Sequence, residues 1–428
     1  MTKGREAAGG KAGWGARPCI IPLMPGYGAR YWAELTPATK RPKYATLRGD
    51  HHADVVVLGG GLTGAMAAYV MAKGGLDVIL VEADRIASGG TSAGLGAIVS
   101  QPDLTFRTTA DTIGLRAART AWKETRSSAL DLASNLRKLR IKCDAKPAPL
   151  LINALTAEDA KELRRDQTAR KAAGIAAPWL PAAATDAAIG TDTGGSIKLA
   201  ESMTFDPVRA TLGFIRAAER AGARVFERSA VTRTRFDRAT ADVVLANGVI
   251  HASGVYVATA GPGALFRSLR RHVRELDACT VVTQPLTSEM KRETGRRSNL
   301  LVEFADDVHW LRWLPDDRAM FSGGLGAPIA PRLLDKALVQ RTGQLMYELS
   351  LRYPVISGLP ARWSWPTRIV TTADGLPWIG PHRNYPFHFF GIAFGWQSEA
   401  LGWFAARAAL RYFKDAAKKE DAVFSFTR

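Results

Sequence analysis

The stretch that most constrains the fold of this chain is residues 54–94. It opens with a short apolar run rich in β-branched residues, residues 54–58, which predicts a buried strand. Gly59, Gly61 and Gly64 follow directly and form a G-x-G-x-x-G turn. In such a turn the first glycine permits a tight bend, the second lets backbone approach a pyrophosphate, and the third lets a helix pack against the strand. Strand and turn together predict a nucleotide site.

The segments after this turn complete the pattern. Residues 62–73 carry Ala, Met and Leu at helical spacing, and Gly74-Gly75 ends the predicted helix. Residues 77–81 predict a second buried strand, which ends in Glu82 about 20 residues past the turn, where an acid accepts hydrogen bonds from a ribose. The N-terminus of the helix offers unpaired N–H groups to phosphates. The stretch therefore predicts a dinucleotide site, with NAD and FAD both open.

The length of the chain and its apolar content bound the class of protein. A chain of 428 residues is long enough for two domains, or for one large α/β domain with an insertion. No apolar run approaches the roughly 20 residues of a membrane helix, so we expect no integral membrane segment. The first residues lack the apolar core of a signal peptide. We therefore expect a cytoplasmic protein.

The net charge of +18 and the cysteines bear on partners and metals. Residues 1–49 carry nine Lys/Arg and two Glu, and much of the remaining positive charge falls on helix-like segments that predict solvated faces. No nucleic-acid-binding module is recognisable, so we expect no nucleic-acid partner. Cys19, Cys143 and Cys279 lie far apart without Cys/His ligand spacing, which indicates neither a disulfide framework nor a metal site.

The later segments alternate between helix-like and strand-like patterns. Pro207 opens a predicted helix that Asp206 is placed to cap. A predicted strand over residues 242–257 leads into another glycine turn, and residues 278–326 contain several β-like runs typical of an antiparallel sheet. The last segment predicts a strand, a glycine turn and an amphipathic helix over residues 398–413.

These patterns predict an α/β (α+β) fold built from discontinuous segments. One domain is a Rossmann-like cofactor-binding domain, and the other is a mainly antiparallel β-sheet domain for the substrate. Residues 108–142 predict one long helix or two, and residues 176–196 predict an Ala/Pro/Gly-rich connection. The expected division is an N-terminal arm that is partly disordered (1–50), a cofactor domain (51–110, 200–275 and 360–428) and a substrate domain (111–199 and 276–359).

The spaced motifs are similar to those of a known family. The chain resembles the FAD-dependent amine and amino-acid oxidoreductases of the D-amino-acid oxidase-like family, which include glycine oxidase, sarcosine oxidase and D-amino-acid dehydrogenase. The arm with Tyr31-Trp32 is similar to that of the gamma-glutamylputrescine oxidase branch. The resemblance covers about residues 30–413 and rests on blocks that occur in the family's order: residues 54–94, Asp206-Pro207, Val231, 258–263, 315–324, 372–377 and the last glycine turn.

This resemblance implies an enzyme and a reaction. The family removes a hydride from the carbon next to an amine and delivers it to flavin N5, and the resulting imine hydrolyses in water. The implied substrate is a small amine or amino acid, and the electron acceptor is oxygen, a quinone or an electron-transfer protein. Sarcosine oxidases carry a flavin-linking Cys in roughly the region that Trp365 occupies, so we expect non-covalent FAD.

The resemblance also implies which residues hold the cofactor. Gly59, Gly61 and Gly64 are expected at the pyrophosphate and Glu82 at the adenosine ribose. Val231 is expected to contact the adenine through its backbone. The C-terminal glycine turn is expected beside the isoalloxazine ring. The further residues expected at FAD are Leu62, Thr63, Ala83, Arg85, Gly90, Thr91, Ser92, Ala260, Gly261, Gly391, Gly395, Trp396 and Gln397.

Four residues are candidates for the catalytic pocket. Arg312 is placed to bind a substrate carboxylate in bidentate fashion, with an exposed strand Arg as the alternative. His309 is a candidate base, with a hydrogen-bonded sheet residue as the alternative. Trp365 and Trp396 are candidates for the pocket wall, with core packing as the alternative, and Trp396 stands beside the flavin turn.

Two other functions remain open on the sequence. A flavin monooxygenase that uses NAD(P)H shares the opening motif, although such enzymes usually show a further Gly-Asp motif late in the chain. A catalytically silent flavin-binding subunit is the second alternative, because residues 394–397 depart from the Gly-Phe-Gly-Gly-His pattern of the family.

Overall fold

The computed structural model describes residues 26–237, 240–396 and 398–428. The strands within these residues are β1 (Gly26–Tyr27), β2 (His51–Leu58), β3 (Val78–Val81), β4 (Ala97–Ile98), β5 (Lys146–Pro147), β6 (Leu150–Ala154), β7 (Trp179–Leu180), β8 (Gly195–Leu199), β9 (Met203–Thr204), β10 (Arg224–Phe226), β11 (Val231–Phe236), β12 (Ala241–Leu245), β13 (Gly248–Val257), β14 (Arg274–Thr283), β15 (Leu300–Phe304), β16 (Trp310–Trp313), β17 (Ala319–Gly326), β18 (Ala361–Thr371), β19 (Trp378–His382) and β20 (Tyr385–Ile392).

The helices frame the two larger sheets. The α-helices are α1 (Tyr31–Leu35), α2 (Leu62–Lys73), α3 (Gly90–Ala93), α4 (Phe106–Ile113), α5 (Leu115–Lys138), α6 (Ala157–Ala172), α7 (Ala182–Ile189), α8 (Pro207–Arg220), α9 (Ser288–Glu293), α10 (Leu334–Arg352) and α11 (Ser398–Phe413). Single 3-10 turns occur at Ala38–Lys40, Arg267–His272, Pro331–Leu333, Pro354–Ile356 and Lys419–Phe424.

The first sheet is parallel through its centre. Its strands run in the order β10-β3-β2-β13-β12-β11, and β20 pairs with both β13 and β19. Strands β10, β3, β2, β13 and β20 are mutually parallel, whereas β12, β11 and β19 run antiparallel to their neighbours. Helix α2 packs against α8 and α11. This is the expected arrangement of a Rossmann-like domain.

The register of this sheet explains how distant loops meet. Val257 of β13 pairs with Leu58 of β2 on one side and with Phe390 of β20 on the other. Because these three strands are parallel, the loops that follow them start at one edge of the sheet. The glycine turn after β2, the turn after β13 and the C-terminal turn after β20 therefore meet there.

The second large sheet has nine strands in the order β1-β18-β14-β17-β16-β15-β6-β8-β7. Most neighbours are antiparallel, and only the pairs β1–β18 and β15–β6 among the described strands of this sheet are parallel. Helix α10 packs against β14, β17 and β18. A small third sheet joins β4, β9 and β5. The α/β (α+β) fold class, with a cofactor domain and a mainly antiparallel sheet, is confirmed.

Several local predictions agree with the structure in detail. Helix α8 begins at Pro207, and the Asp206 carboxylate accepts a hydrogen bond from the Arg209 N–H at 2.9 Å. Helix α11 spans the predicted residues 398–413. Residues 108–142, predicted as one long helix or two, belong to two helices, because Gly114 adopts a φ of 85° between α4 and α5.

Other local predictions differ from the structure. The expected connection over residues 176–196 contains α7 and strands β7 and β8, since its alanines favour a helix. Tyr31 and Trp32 lie in the short helix α1 and are 2% exposed, so this part of the arm packs into the protein. Strand β18 pairs within the nine-stranded sheet, whereas the expected division gave residues 360–428 to the cofactor domain. The first 25 residues of the arm lie outside the described residues.

Two further sequence expectations concern the membrane and the cysteines. Among the helices of the described residues, none combines the length and the apolar character that crossing a bilayer requires. Cys143 and Cys279 are buried free thiols, and Cys19 lies outside the described residues.

The glycine at the start of α2 provides a test of this packing. A Cβ on Gly64 would overlap the carbonyl oxygen of Gly59, so we expect Gly64→Ala to lower the free energy of unfolding by about 2–4 kcal/mol. Gly343→Ala is the matched control, because Gly343 is an exposed residue of α10 with open space around its Cβ position. We expect the control to be neutral or to stabilise by up to about 1 kcal/mol. Urea unfolding measures both, and equal effects would contradict the packing described.

Candidate cofactor and active site

A cavity of about 420 Å³ lies at the edge where β2, β13 and β20 end. Its lining begins at the turn after β2 with Gly59 and Gly61, and it reaches Gly395 and Trp396 in the turn before α11. Backbone from the turn after β13 also lines it, including Ala260, which adopts a φ of 62°. A non-glycine residue in this region is strained, and such strain is typical of functional sites.

The glycine turn after β2 leaves space for a bound group. Gly59 has a φ of 109°, and a Cβ there would lie 2.7 Å from the carbonyl oxygen of Ala258. Gly61 precedes α2 and provides no side-chain cap, while the Leu62 N–H donates to Thr91 Oγ1 at 2.9 Å. The first-turn N–H groups of a helix lack intrahelical partners and attract anions. This cradle fits a pyrophosphate.

Glu82 is fixed at the other side of the same turn. Its Oε2 accepts the Gly60 N–H at 2.6 Å, and its Oε1 accepts the Asp84 N–H at 2.9 Å. A carboxylate has about four lone-pair sites, so two remain for hydroxyl donors. Because Glu82 lines the cavity, its position fits the ribose of a dinucleotide.

Most of the predicted cofactor residues lie around this one cavity. Four of them do not line it. Gly64 makes the contact between α2 and β2, Arg85 forms an ion pair with Glu227 at 3.6 Å, and Gly261 faces Val370. The residues that do line it are Gly59, Gly61, Leu62, Thr63, Glu82, Ala83, Gly90, Thr91, Val231, Ala260, Gly391, Gly395 and Trp396.

The fourth, Ser92, is held inside its own loop. Its hydroxyl contacts the carbonyl oxygens of Ser88 and Gly89 at 3.0 Å, and it accepts a hydrogen bond from Arg30 at 2.8 Å. Ser92 therefore supports the loop that lines the cavity instead of lining it. Gln397 lies outside the described residues.

Asp103 fixes the C-terminal turn, although the sequence gave no reason to single it out. Its Oδ2 accepts the Trp396 N–H at 2.8 Å. A Cβ on Gly395 would overlap the same carboxylate, and Gly395 has a φ of 68°. Both the lack of space and the left-handed backbone conformation therefore require a glycine at this position. Asp103 Oδ1 is buried and has no hydrogen-bond partner in the described part of the chain. This carboxylate thus sets the shape of the turn and keeps one acceptor free.

A second carboxylate lies close by in the first turn of α11. Glu399 is buried and lines the cavity, and burial raises its pKa to about 8, with the charge of Asp103 adding to the increase. Burial raises the pKa of Asp103 to about 7, and the Trp396 N–H partly opposes that shift. Glu399 was not predicted either, since an acid in a first helical turn is ordinary. Both groups titrate near neutral pH.

A second cavity of about 600 Å³ adjoins the first. The two cavities share Ile369 of β18 and Trp396 of the C-terminal turn. Helix α6 and strands β6 and β15 contribute the outer part of its lining. The shared residues make Trp396 part of the wall between the cavity lined by most of the predicted cofactor residues and the second cavity.

Arg312 lies away from both cavities. Its Nη1 donates to the carbonyl oxygens of Leu95, Gly96 and Phe205 at 2.6, 2.8 and 2.9 Å. Its guanidinium lies 4.8 Å from the ring of Trp32, and the residue is 3% exposed. The alternative of an exposed strand residue is therefore wrong. Arg312 Nε has no hydrogen-bond partner among the described residues, and the carboxylate anchor stays a prediction. Arg312 holds the loop before β4 in place.

His309 also lies away from the two cavities. Its Nδ1 lies 2.7 Å from Glu303, its Nε2 lies 2.8 Å from Glu348, and its ring stacks on Phe321. Arg352 bonds the same Glu303. Burial alone would lower the pKa of His309, but the hydrogen bond and charge of Glu303 raise it overall. The hydrogen bond with Glu303 agrees with the hydrogen-bonded alternative, and a role of His309 as a base stays a prediction.

Trp365 takes the core position that the sequence left as an alternative. The side chain is fully buried, and its Nε1 donates to the carbonyl oxygen of Ala93 at 3.1 Å. It lines neither cavity. Trp365 therefore supports the loop around α3 from beneath.

One group of side chains has metal-ligand character. Asp307, His309 and Glu348 bring ligand atoms within 4.8 Å of one another. The short His309–Glu348 distance of 2.8 Å and the longer His309–Asp307 distance of 3.8 Å are those of an ion-pair network. The absence of a metal site stays a prediction.

Comparison with known proteins identifies similar chains. The family described as FAD dependent oxidoreductase (DAO) matches residues 54–410. Gamma-glutamylputrescine oxidoreductase from Escherichia coli (strain K12) is 24% identical over 349 residues, which cover 80% of this chain and 80% of that protein.

Two solved structures share the fold. Glycine oxidase from Geobacillus kaustophilus has a TM-score of 0.72 at 19% identity and covers 88% of this chain and 99% of its own. The dithionite-reduced L-alpha-glycerophosphate oxidase from Mycoplasma pneumoniae, with FAD bound, has a TM-score of 0.69 at 16% identity and covers 85% of this chain and 95% of its own. Because both sequence identities are below 20%, these similarities show a shared fold and not a shared substrate.

The raised pKa of Glu399 predicts a pH-dependent stability. In an unfolded chain the pKa of a Glu is about 4.3. Between this pH and about 8, the folded protein therefore binds more protons at Glu399 than the unfolded chain does. The stabilising contribution is full below about pH 4 and is lost as the pH rises through about 8. We expect the difference in unfolding free energy between wild type and Glu399→Gln to fall over this range in urea titrations. A flat difference, matching that of the exposed control Glu289→Gln, would contradict the burial described.

The contacts of Arg312 predict a structural defect on its removal. Arg312→Ala removes a guanidinium donor from three buried carbonyl oxygens, of which that of Gly96 keeps the Phe205 N–H, and we expect a loss of about 2–4 kcal/mol in unfolding free energy. Arg332→Ala is the control, because Arg332 is exposed, and we expect a change within about 0.5 kcal/mol. Unchanged stability of Arg312→Ala, combined with a raised KM for carboxylate substrates alone, would contradict the structural role and support the carboxylate-anchor hypothesis.

Proposed function

Because the chain belongs to the FAD-dependent oxidoreductase family, we propose that it is an enzyme that oxidises a small amine or amino acid. The proposed reaction takes a hydride from the carbon next to the nitrogen to flavin N5 and leaves an imine that hydrolyses. The observation that carries the proposal is the pair of adjoining cavities, one fitted to a dinucleotide and one large enough for a substrate, which meet at Ile369 and Trp396.

FAD, when bound, supplies the hydride acceptor, and the chain supplies position and environment. The glycine turn and the N-terminus of α2 would hold the pyrophosphate, and Glu82 would hold the ribose. Asp103 holds the Gly395-Trp396 turn at the other end.

An amine must lose its proton before hydride removal, and Asp103 is placed for this step. Asp103 lines the second cavity and bonds Trp396 of the wall shared with the first, and its Oδ1 has no hydrogen-bond partner among the described residues. Its pKa of about 7 matches a group that accepts a proton near neutral pH. Asp103 Oδ1 therefore serves as the proton acceptor for the substrate ammonium.

The similar proteins support an amine donor without fixing it. Two of their names contain nitrogen compounds, gamma-glutamylputrescine and glycine, whereas the third names L-alpha-glycerophosphate. We therefore propose an amine or amino acid as the hydride donor, and we include an alcohol donor in the test below. The NAD(P)H-using monooxygenase and the silent flavin-binding subunit remain the alternatives, the latter because Trp396 departs from the family turn.

Non-covalent attachment of FAD is part of the proposal. Among the described residues that line the first cavity there is no cysteine to form a covalent bond with the flavin. Trp365, in the region where sarcosine oxidases carry their flavin-linking Cys, is buried and does not line this cavity. Electron acceptors of the proposed cycle are oxygen, a quinone or an electron-transfer protein. A cytoplasmic location stays a prediction.

Anaerobic reduction of the bound flavin tests the function. The FAD-loaded protein is mixed without oxygen with amines, amino acids, L-alpha-glycerophosphate and NAD(P)H, and the visible flavin absorbance is followed. We expect bleaching by at least one amine or amino acid in the absence of NAD(P)H. Bleaching by NAD(P)H alone would establish the monooxygenase alternative, bleaching by glycerophosphate alone would establish an alcohol donor, and no bleaching by any donor would favour the silent subunit.

A further inference from the structure

The lining of the second cavity has a charge opposite to that of the whole chain. Seven carboxylate side chains and two guanidinium groups line it, although the protein carries a net charge of +18. Both guanidinium groups are already paired, Arg107 with Glu162 at 3.1 Å and Arg170 with Asp166 at 2.6 Å. No free guanidinium among the described lining residues is left to bind a substrate carboxylate.

Several of the lining carboxylates are compensated from outside the cavity. Arg352 bonds Glu303 through two nitrogens, Arg165 pairs with Glu162, and Lys161 lies 3.7 Å from Glu158. Asp159 caps α6 through hydrogen bonds with Thr156 and has no cation partner among the described side chains. The charge of the lining is therefore negative even after these outer cations are counted.

Two carboxylates in this lining are left with free oxygens. Asp103 receives only a backbone N–H on Oδ2, and its buried Oδ1 has no partner in the part of the chain that the structure describes. Asp306, in the loop after β15, is exposed and makes no ion pair or hydrogen bond with another described residue. A buried hydrogen-bond acceptor without a partner destabilises the protein, because it has lost its hydrogen bonds with water and forms none within the protein. An ammonium group on the substrate would offset that cost.

We propose that the second cavity selects substrates with two cationic groups, so that the reacting ammonium meets Asp103 and a distal ammonium or guanidinium meets the side of the cavity that carries Asp306. This inference rests on the proposed function for the identity of the reacting end. A substrate with an anionic distal group would face unpaired carboxylates and no free guanidinium, and like charges repel in such a site. A negative cavity in a positive protein also concentrates cations locally.

Binding is measured on the holoenzyme after dithionite reduction of its flavin, since reduced flavin accepts no hydride from the probes. Calorimetric titrations without oxygen use 1,4-diaminobutane, n-butylamine and 4-aminobutanoate, which have similar chain lengths and differ in the distal group. We expect 1,4-diaminobutane to bind about tenfold more tightly than n-butylamine and 4-aminobutanoate to bind most weakly. Equal affinities, or the reverse order, would overturn the inference.

Variants locate the distal contact. We expect Asp306→Asn to weaken 1,4-diaminobutane binding about three- to tenfold and to leave n-butylamine binding within about twofold. Asp335→Asn is the matched control, since Asp335 is an exposed residue of α10 outside the cavity lining. Asp103→Asn is expected to weaken both cations, because each brings an ammonium to this end. If Asp306→Asn binds all three probes with the affinity of the wild type, Asp306 is not the distal contact.

The experiments distinguish a failure of the cation selectivity from a failure of the proposed amine oxidation. If amino acids with anionic side groups bleach the oxidised flavin while 1,4-diaminobutane neither binds nor bleaches it, the amine oxidation stands and the cation selectivity is wrong. If no amine bleaches the flavin but the binding order is as expected, the selectivity stands and the oxidation is wrong.

Discussion

The hydrogen bond between the Asp103 carboxylate and the Trp396 N–H is the interaction on which the candidate site depends. It holds the turn in which Gly395 has no room for a side chain, and that turn is the wall between the two cavities. The other oxygen of the same carboxylate has no hydrogen-bond partner among the described residues. One carboxylate therefore shapes the turn beside the first cavity and is one of the seven carboxylates that line the second.

The parallel strands make this contact possible. Because β2, β13 and β20 end at one edge, the glycine turn after β2 and the turn before α11 lie on the same cavity although more than 300 residues separate them. The nine-stranded sheet closes the cavity from the other side through β17 and β18. Arg312 and Trp365 then fix the loop between these layers by bonding its carbonyl oxygens.

Sequence reasoning succeeded where the signal is local. The G-x-G-x-x-G turn, the Asp206 cap and the span of α11 depend on neighbouring residues, and all three agree with the structure. It failed where partners are distant. The Leu95 carbonyl that binds Arg312 lies 217 residues away in sequence, and Asp103 meets Trp396 across 293 residues. A lone Arg on a strand or a lone Asp in a loop carries no local mark of such a contact, so the substrate side could not be derived from the sequence.

The central claim is that the two cavities form one path from cofactor to substrate, joined at Ile369 and Trp396. A crystal structure of the FAD-loaded protein tests it most directly. The account predicts the adenine end of the cofactor near Glu82 and Val231 and the isoalloxazine ring beside the Gly395-Trp396 turn, facing the second cavity. A ring placed at the Glu82 end, or a wall that separates it from the second cavity, would contradict the account.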